Sequence, residues 1–480
     1  MGQITESFLN DYAGRDGVAL GEWVRAGDVT PGELAEAAIT LVERLNPRLN
    51  AVVIKTYDLA RRTALEGVPM GPFAGVPFLL KDLATQWGGV PTQNASRYLE
   101  GLVASADQET VKRIKAAGFV LIGKTNAPEN GWSISTEPRL YGRAHNPWRE
   151  DITPGGSSGG AAAAVAARIV PVAEASDGAG SIRVPASNCG LVGLKPSRGR
   201  VTLGPDLVDY WYGGAYFLCV SRTVRDTAAY LDALAGALPG DPYTPPAPSE
   251  TWFALARQAP RPMRIGFGLR TPDGQAFHPE VTEAVRSTAA LLEGLGHRLE
   301  EHDLELDAEA WSTYTRMTAV QTAATFEYFV PIVGRPVTAA DVEPVTWAVI
   351  ERGRSLSGID HANDVERLRQ IGRRIVADLL PLDAFLTPTL THPPRPFGHW
   401  DMSMTDLDSY NARWTDAVFT FPFNLSGLPA LSVPARWTAD GLPVGVQLVG
   451  RYGDEATILQ LAAALEISRP WIARKAPVSA

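Results

Sequence analysis

Residues 153–197 read TPGGSSGGAAAAVAARIVPVAEASDGAGSIRVPASNCGLVGLKPS. Two glycine–serine loops bracket an alanine run and an apolar run. The pattern predicts a glycine loop, a helix, a buried strand, a second glycine loop and the start of a second helix. The alternation recurs upstream. A helix is predicted over 31–45, with Thr30 as cap, Pro31 at its first position and Glu33 completing a capping box. Leu34, Ala37, Ala38, Leu41 and Leu45 give it one apolar face. Residues 76–80 read as a buried strand ending at Lys81-Asp82, 108–117 as a helix stopped by Gly118, and 119–122 as the next strand. This order specifies an α/β fold, a large mixed twisted sheet with helices on both faces.

The 480 residues are expected to form one domain over 1–480. Its core would be 70–235 together with returning strands at 415–450. Residues 237–262, with LPGDPYTPPAPSE at their centre, read as a long connection. It leads to a mostly helical, substrate-side region over 240–400, in which 278–296 is amphipathic and 307–380 largely helical. The tail, FTFPFNLSGLPALSVPA and GLPVGVQLVGR, reads as apolar strands divided by Gly and Pro turns that pack back onto the same sheet.

Composition narrows the class of function. The formal charge of −9 argues against a nucleic-acid partner, which needs clustered Lys and Arg. No stretch approaches the ~18 apolar residues of a membrane span, and the N-terminal residues lack a basic and an apolar region, so a cytoplasmic location is expected. Cys189 and Cys219 form no CxxC or Cys/His cluster, so they are expected to be buried free thiols, with no metal and no cofactor.

The glycine loop GGSSGG admits three readings. A phosphate cradle would need Lys and Ser or Thr after the last glycine, where alanines stand. A G-x-S-x-G elbow on Ser157 or Ser158 would need a later acid and histidine, such as Asp383 and His392. The third reading joins Ser157 to Ser181 in the next loop and to Lys81 at a strand end, all at the carboxyl edge of one sheet. A serine hydroxyl is a weak nucleophile until a neighbour takes its proton. A lysine takes it only when neutral, which burial among Phe78, Leu79, Leu80 and Leu83 would favour. A second hydroxyl relays the proton because it both donates and accepts. The small residues Gly178, Ala179 and Gly180 leave backbone N–H groups, with that of Ser181, free to bind an oxyanion.

FAGVPFLLKD, GFVLIGKTNAPE, PGGSSGGAAAAVAA, SDGAGSIRVPASNCGLVGLKPS, VSRTVRD and FPFNLSGLPALSVP resemble, in order and over nearly the whole chain, the motifs of the amidase signature enzymes. Within that family the chain is most similar to hydrolases of nylon-oligomer cyclic-dimer type. The resemblance implies a serine hydrolase that works through an acyl-enzyme. Ser181 is its nucleophile, Ser157, on a cis peptide bond, its bridge, and Lys81 its base. Ser158 supports the network, and Asp177 and Arg183 brace the nucleophile loop. Ala179 departs from the glycine common in the family and limits positive φ. The segment after the signature is aromatic where the glutaminase subunits of tRNA amidotransferases are polar. That disfavours their role and predicts a small apolar or aromatic amide, ester or carbamate as substrate. Trp132, Tyr210, Trp211, Tyr212 and Phe217 are its candidate wall. His145, His278, His297, His302, His361, His392 and His399 show no paired spacing and are read as non-catalytic. A monomer or homodimer is expected.

Overall fold

The structure, a computed structural model, describes residues 4–480. Eleven strands form one mixed sheet: β1 Val52–Lys55, β2 Pro77–Lys81, β3 Val120–Thr125, β4 Val172–Asp177, β5 Val192–Lys195, β6 Tyr216–Ser221, β7 Arg264–Phe267, β8 Arg298–Glu301, β9 Ala384–Pro388, β10 Ala430–Trp437 and β11 Pro443–Gly450. Their order across the sheet is β1-β3-β2-β4-β6-β5-β10-β11-β9-β7-β8. β2 lies parallel between β3 and β4, β7 runs parallel to β8 and β9, and the remaining pairings are antiparallel.

The expected alternation is present with shifted boundaries. The helix Pro31–Leu49 carries the predicted Thr30–Glu33 capping box and runs one turn further than its apolar face suggested. β2 is buried along its whole length, as a continuous apolar run between two strands requires. The helix Gly159–Ala166 is alanine-rich and buried on every side, which places it inside a layer and not on the surface. β5 follows the second glycine loop and its helix Arg183–Cys189, a strand the sequence reading missed.

Helices dominate the region 240–400, and β7, β8 and β9 from it also complete one side of the sheet. One expectation is corrected. The segment FPFNLS reads as strand by its aromatic content but is the helix Phe421–Ser426. Pro422 fits its first turn and Gly427, at φ 79°, ends it in the left-handed region. The tail does return to the sheet: β10 pairs with β5 and β11 with β9, in the middle of the array. Both cysteines are buried free thiols. Among the described residues no helix is long and apolar enough to cross a membrane.

Candidate active site

Because β2 and β4 are parallel neighbours, their C-terminal ends reach the same edge of the sheet. β2 ends on Lys81 and β4 on Ser176-Asp177. The loop before helix Gly159–Ala166 meets them there, with a cis Gly156–Ser157 bond. The Lys81 ammonium nitrogen, Nζ, lies 2.7 Å from Ser157 Oγ and 2.9 Å from Ser176 Oγ. Lys81 is fully buried, and among the described residues no carboxylate forms an ion pair with it. Burial pulls its pKa down to about 7, against the upward pull of Glu174 and Asp177. Ser158 stands just outside this contact: its hydroxyl accepts from Ser176 N–H and donates to Ser176 O, both at 3.3 Å, tying the glycine loop to the end of β4.

Ser176 and Glu174 were not singled out from the sequence. Strand alternation puts both on the face of β4 that looks towards Lys81. Glu174 accepts the Lys81 backbone N–H at 2.9 Å and the Thr85 hydroxyl at 3.0 Å. Burial pushes its carboxyl up to about 7, while those hydrogen bonds and the nearby lysines pull it down. Lys124, on β3, donates to Thr85 O and Thr92 Oγ1, and burial lowers it to about 8. A run of apolar letters with one Glu carries no signal for this buried layer.

The loop from Gly178 to Ser181 is held on all sides. Asp177 accepts Gly180 N–H at 2.7 Å and Ile182 N–H at 3.1 Å, and Arg183 clamps the same carboxylate at 2.8 and 2.9 Å. Arg183 also reaches Thr420 O, Gln447 Oε1 and Asn424 Oδ1. Burial opposes ionisation of Asp177, but the Arg183 charge and the hydrogen bonds of Arg183 and Asn424 outweigh it and hold the carboxyl well below its usual range. The Gly178 carbonyl accepts the Tyr314 hydroxyl, and the Ala179 carbonyl accepts Thr420 Oγ1 at 2.5 Å. In a trans peptide the next N–H points the opposite way.

Of the predicted oxyanion donors, the Gly180 N–H is therefore spent on Asp177, a correction to the set. The amides of Gly178, Ala179 and Ser181 have no acceptor among the described residues. The positive φ of the loop falls on Gly180, at 126°, and not on Ala179. Alanine at 179 thus costs the loop nothing, whereas a Cβ on Gly180 would come within 2.5 Å of Thr420 Oγ1.

Ser157 and Ser181 both line one cavity of about 650 Å³, with Ser181 only 6 % exposed. No hydrogen bond joins the two hydroxyls among the described residues. Such contacts often tighten only when a reacting group is bound. Trp132, Tyr210, Trp211 and Phe217 line the same cavity. Tyr212 does not: its hydroxyl turns away to His361 Nε2 at 2.6 Å. The sequence reading missed further lining aromatics, Trp311 and Tyr314 on the helix Ala310–Val333 and Trp414 beyond it, of which Tyr314 packs edge-on against Trp211. These residues lie far along the chain from the glycine loops, so only the fold brings them near.

No histidine is among the described residues that line the cavity. His392 pairs with Asp416, His302 with Asp378, and Asp383 is taken by Arg261 at the start of β9. The acid–histidine arrangement of an elbow hydrolase is thus not assembled around Ser157 or Ser158.

Comparison with known proteins agrees with this geometry. Residues 33–459 match the family model described as Amidase. The chain is 39 % identical over 475 residues to the 6-aminohexanoate-cyclic-dimer hydrolase of Paenarthrobacter ureafaciens, covering 96 % of each chain. It is 32 % identical to an acylamidase of Rhodococcus erythropolis, over 94 % of this chain and 95 % of that one. A solved structure of 6-aminohexanoate cyclic dimer hydrolase complexed with substrate superposes with a TM-score of 0.93 at 38 % identity, covering 97 % of this chain and 99 % of the other.

Proposed function

The chain belongs to the amidase family, and from that premise we propose that it cleaves apolar or aromatic amides through a Ser181 acyl-enzyme, with Lys81 as base and Ser157 as relay. The observation that carries the reading is a buried lysine, unpaired by any carboxylate among the described residues and hydrogen-bonded at 2.7 Å to a serine on the wall of the cavity that also holds Ser181. Burial keeps much of that lysine neutral near pH 7, so it can accept a proton.

In the first half-reaction Ser181 Oγ attacks the substrate carbonyl. Its proton passes to Ser157 Oγ as the Ser157 proton passes to Lys81 Nζ. The N–H groups of Gly178, Ala179 and Ser181 are the candidates to hold the oxyanion. The C–N bond then breaks, and the amine leaves with the proton returned through Ser157. Water attacks the acyl-enzyme along the same relay in reverse, freeing the acid and restoring Ser181. Esters and carbamates present the same carbonyl to the same groups, so the proposal extends to them. Neither a metal nor a cofactor has a role in it.

Ser181→Ala should cut turnover of aryl anilides, 6-aminohexanoate amides and aryl carbamates by roughly 10⁴-fold or more. It should also abolish labelling by a fluorophosphonate probe, with the circular dichroism spectrum unchanged. Retained turnover, or labelling of Ser158 in place of Ser181, would reject the reading. Replacing His392 should leave the chemical step intact.

A further inference from the structure

The helix Ala310–Val333 is long for this molecule, and one of its faces lines the cavity from end to end. Tyr314, Thr318, Gln321, Thr325, Tyr328 and Ile332 recur every three or four residues, so they form one stripe. At 1.5 Å per residue the stripe from Tyr314 to Ile332 is roughly 27 Å long. Its inner end is fixed beside the nucleophile, because the Tyr314 hydroxyl is bonded to Gly178 O. Exposure rises along it, from 2 % at Tyr314 and Thr318 to 65 % at Tyr328 and 48 % at Ile332. The stripe is closed at Ser181 and open to solvent at its far end, where the exposed Val103 borders the same cavity. Exposed Tyr, Ile and Val gathered on one rim mark a binding surface more than singly scattered apolar residues do.

The polarity of the stripe has an order. Both ends are apolar. In the middle, the Thr318 hydroxyl donates to the helix carbonyl of Tyr314, which leaves its oxygen lone pairs for an incoming N–H, whereas Thr325 donates to Gln321 O and already accepts the Tyr210 hydroxyl at 3.1 Å. The Gln321 side-chain amide has no partner among the described residues and offers both a donor and an acceptor. No charged side chain interrupts the stripe within the lining.

We propose that this helix face is an extended trough for a linear oligoamide, apolar segments alternating with amide groups, whose scissile bond sits at Ser181 and whose chain runs out past Tyr328 and Ile332. This rests on the hydrolase reading above. An extended chain advances about 1.2 Å per backbone bond, so the trough takes up about 20 bonds. That is about three repeats of a seven-bond 6-aminohexanoate unit. A compact substrate would occupy only the inner half and leave the rim unused.

The test is kcat/KM for end-blocked linear 6-aminohexanoate oligomers from dimer to pentamer, with acetanilide as a short reference. The expected result is a rise of about tenfold or more up to the trimer or tetramer and a plateau beyond. In the double variant Tyr328→Ser/Ile332→Ser, both positions being exposed, the tetramer-to-dimer ratio should fall about tenfold, mainly through KM. A flat length series, or an unchanged ratio in the variant, overturns the trough while acetanilide turnover leaves the hydrolase reading standing. Absence of turnover on every substrate, with Ser181 unlabelled, overturns both.

Discussion

A lysine serves as a proton acceptor only in its neutral form, so the charges around Lys81 set the pH range of the chemistry. Burial and two carboxylates of β4, Glu174 and Asp177, act on it, while Lys124 on β3 and Tyr230 on the helix Val224–Leu234 interact with Glu174. Burial dominates and brings Lys81 to about 7, with Glu174 at about 7 as well, so the two titrate over the same pH range. The proposed mechanism requires neutral Lys81, so kcat/KM should rise with pH through about 7. An ionised Glu174 favours the ammonium and delays that rise. Glu174→Gln removes the charge, yet its amide can still accept the Lys81 N–H. Its acid limb should therefore move down by about one pH unit and approach a single titration. A pH–rate profile that does not move would show that Glu174 acts on packing alone. Lys81, Ser157 and Ser181 were legible in the sequence because motif and strand end coincide. Ser176 and Glu174 were not, because their role depends on which strand lies beside β4.

At the scale of elements, the loop that carries the proposed nucleophile is shaped by segments more than a hundred residues away. Tyr314 from the helix Ala310–Val333 holds the Gly178 carbonyl, and Thr420, just before the helix Phe421–Ser426, holds that of Ala179. Each peptide plane is rigid, so holding the Gly178 carbonyl on the outside aims the Ala179 N–H inward, while the plane held by Thr420 turns the Gly180 N–H to Asp177. Tyr314→Phe keeps the ring that walls the cavity but frees the Gly178–Ala179 plane. One neutral hydrogen bond is worth about 1 kcal/mol, so kcat should fall about fivefold on acetanilide with KM little changed. A change in KM alone would mean that the hydroxyl touches substrate and does not position the loop. Neither contact could be read from the chain. The helix Phe421–Ser426 was hidden by its strand-like aromatics, and its reason for being helical is tertiary: Asn424 must reach both Arg183 and the Asp177 carboxylate.

For the whole molecule, the sheet order determines how the chain comes apart. β1 to β6 come from the first half of the sequence and β7 to β9 from the second, and no ladder joins the two sets directly. They are connected through β10 and β11, the last strands made, which pair with each other through Ala430–Trp437 and Pro443–Gly450. An alternating α/β pattern was visible from composition and periodicity. The strand order was not, since strands of four or five residues in a helical region carry little signal. The central hairpin also brings Gln447, on β11, to Arg183, so the active-site clamp and the joint between the two sets share one residue. Neither set can lose the hairpin without exposing a sheet edge, and its loss also takes the Gln447 acceptor from Arg183. Unfolding should accordingly be one event, consistent with a single domain over the whole chain. In urea, far-ultraviolet circular dichroism, tryptophan fluorescence and loss of fluorophosphonate labelling at Ser181 should share one midpoint. A first transition that removes labelling while most of the circular dichroism persists would show that the two sides of the sheet fold independently.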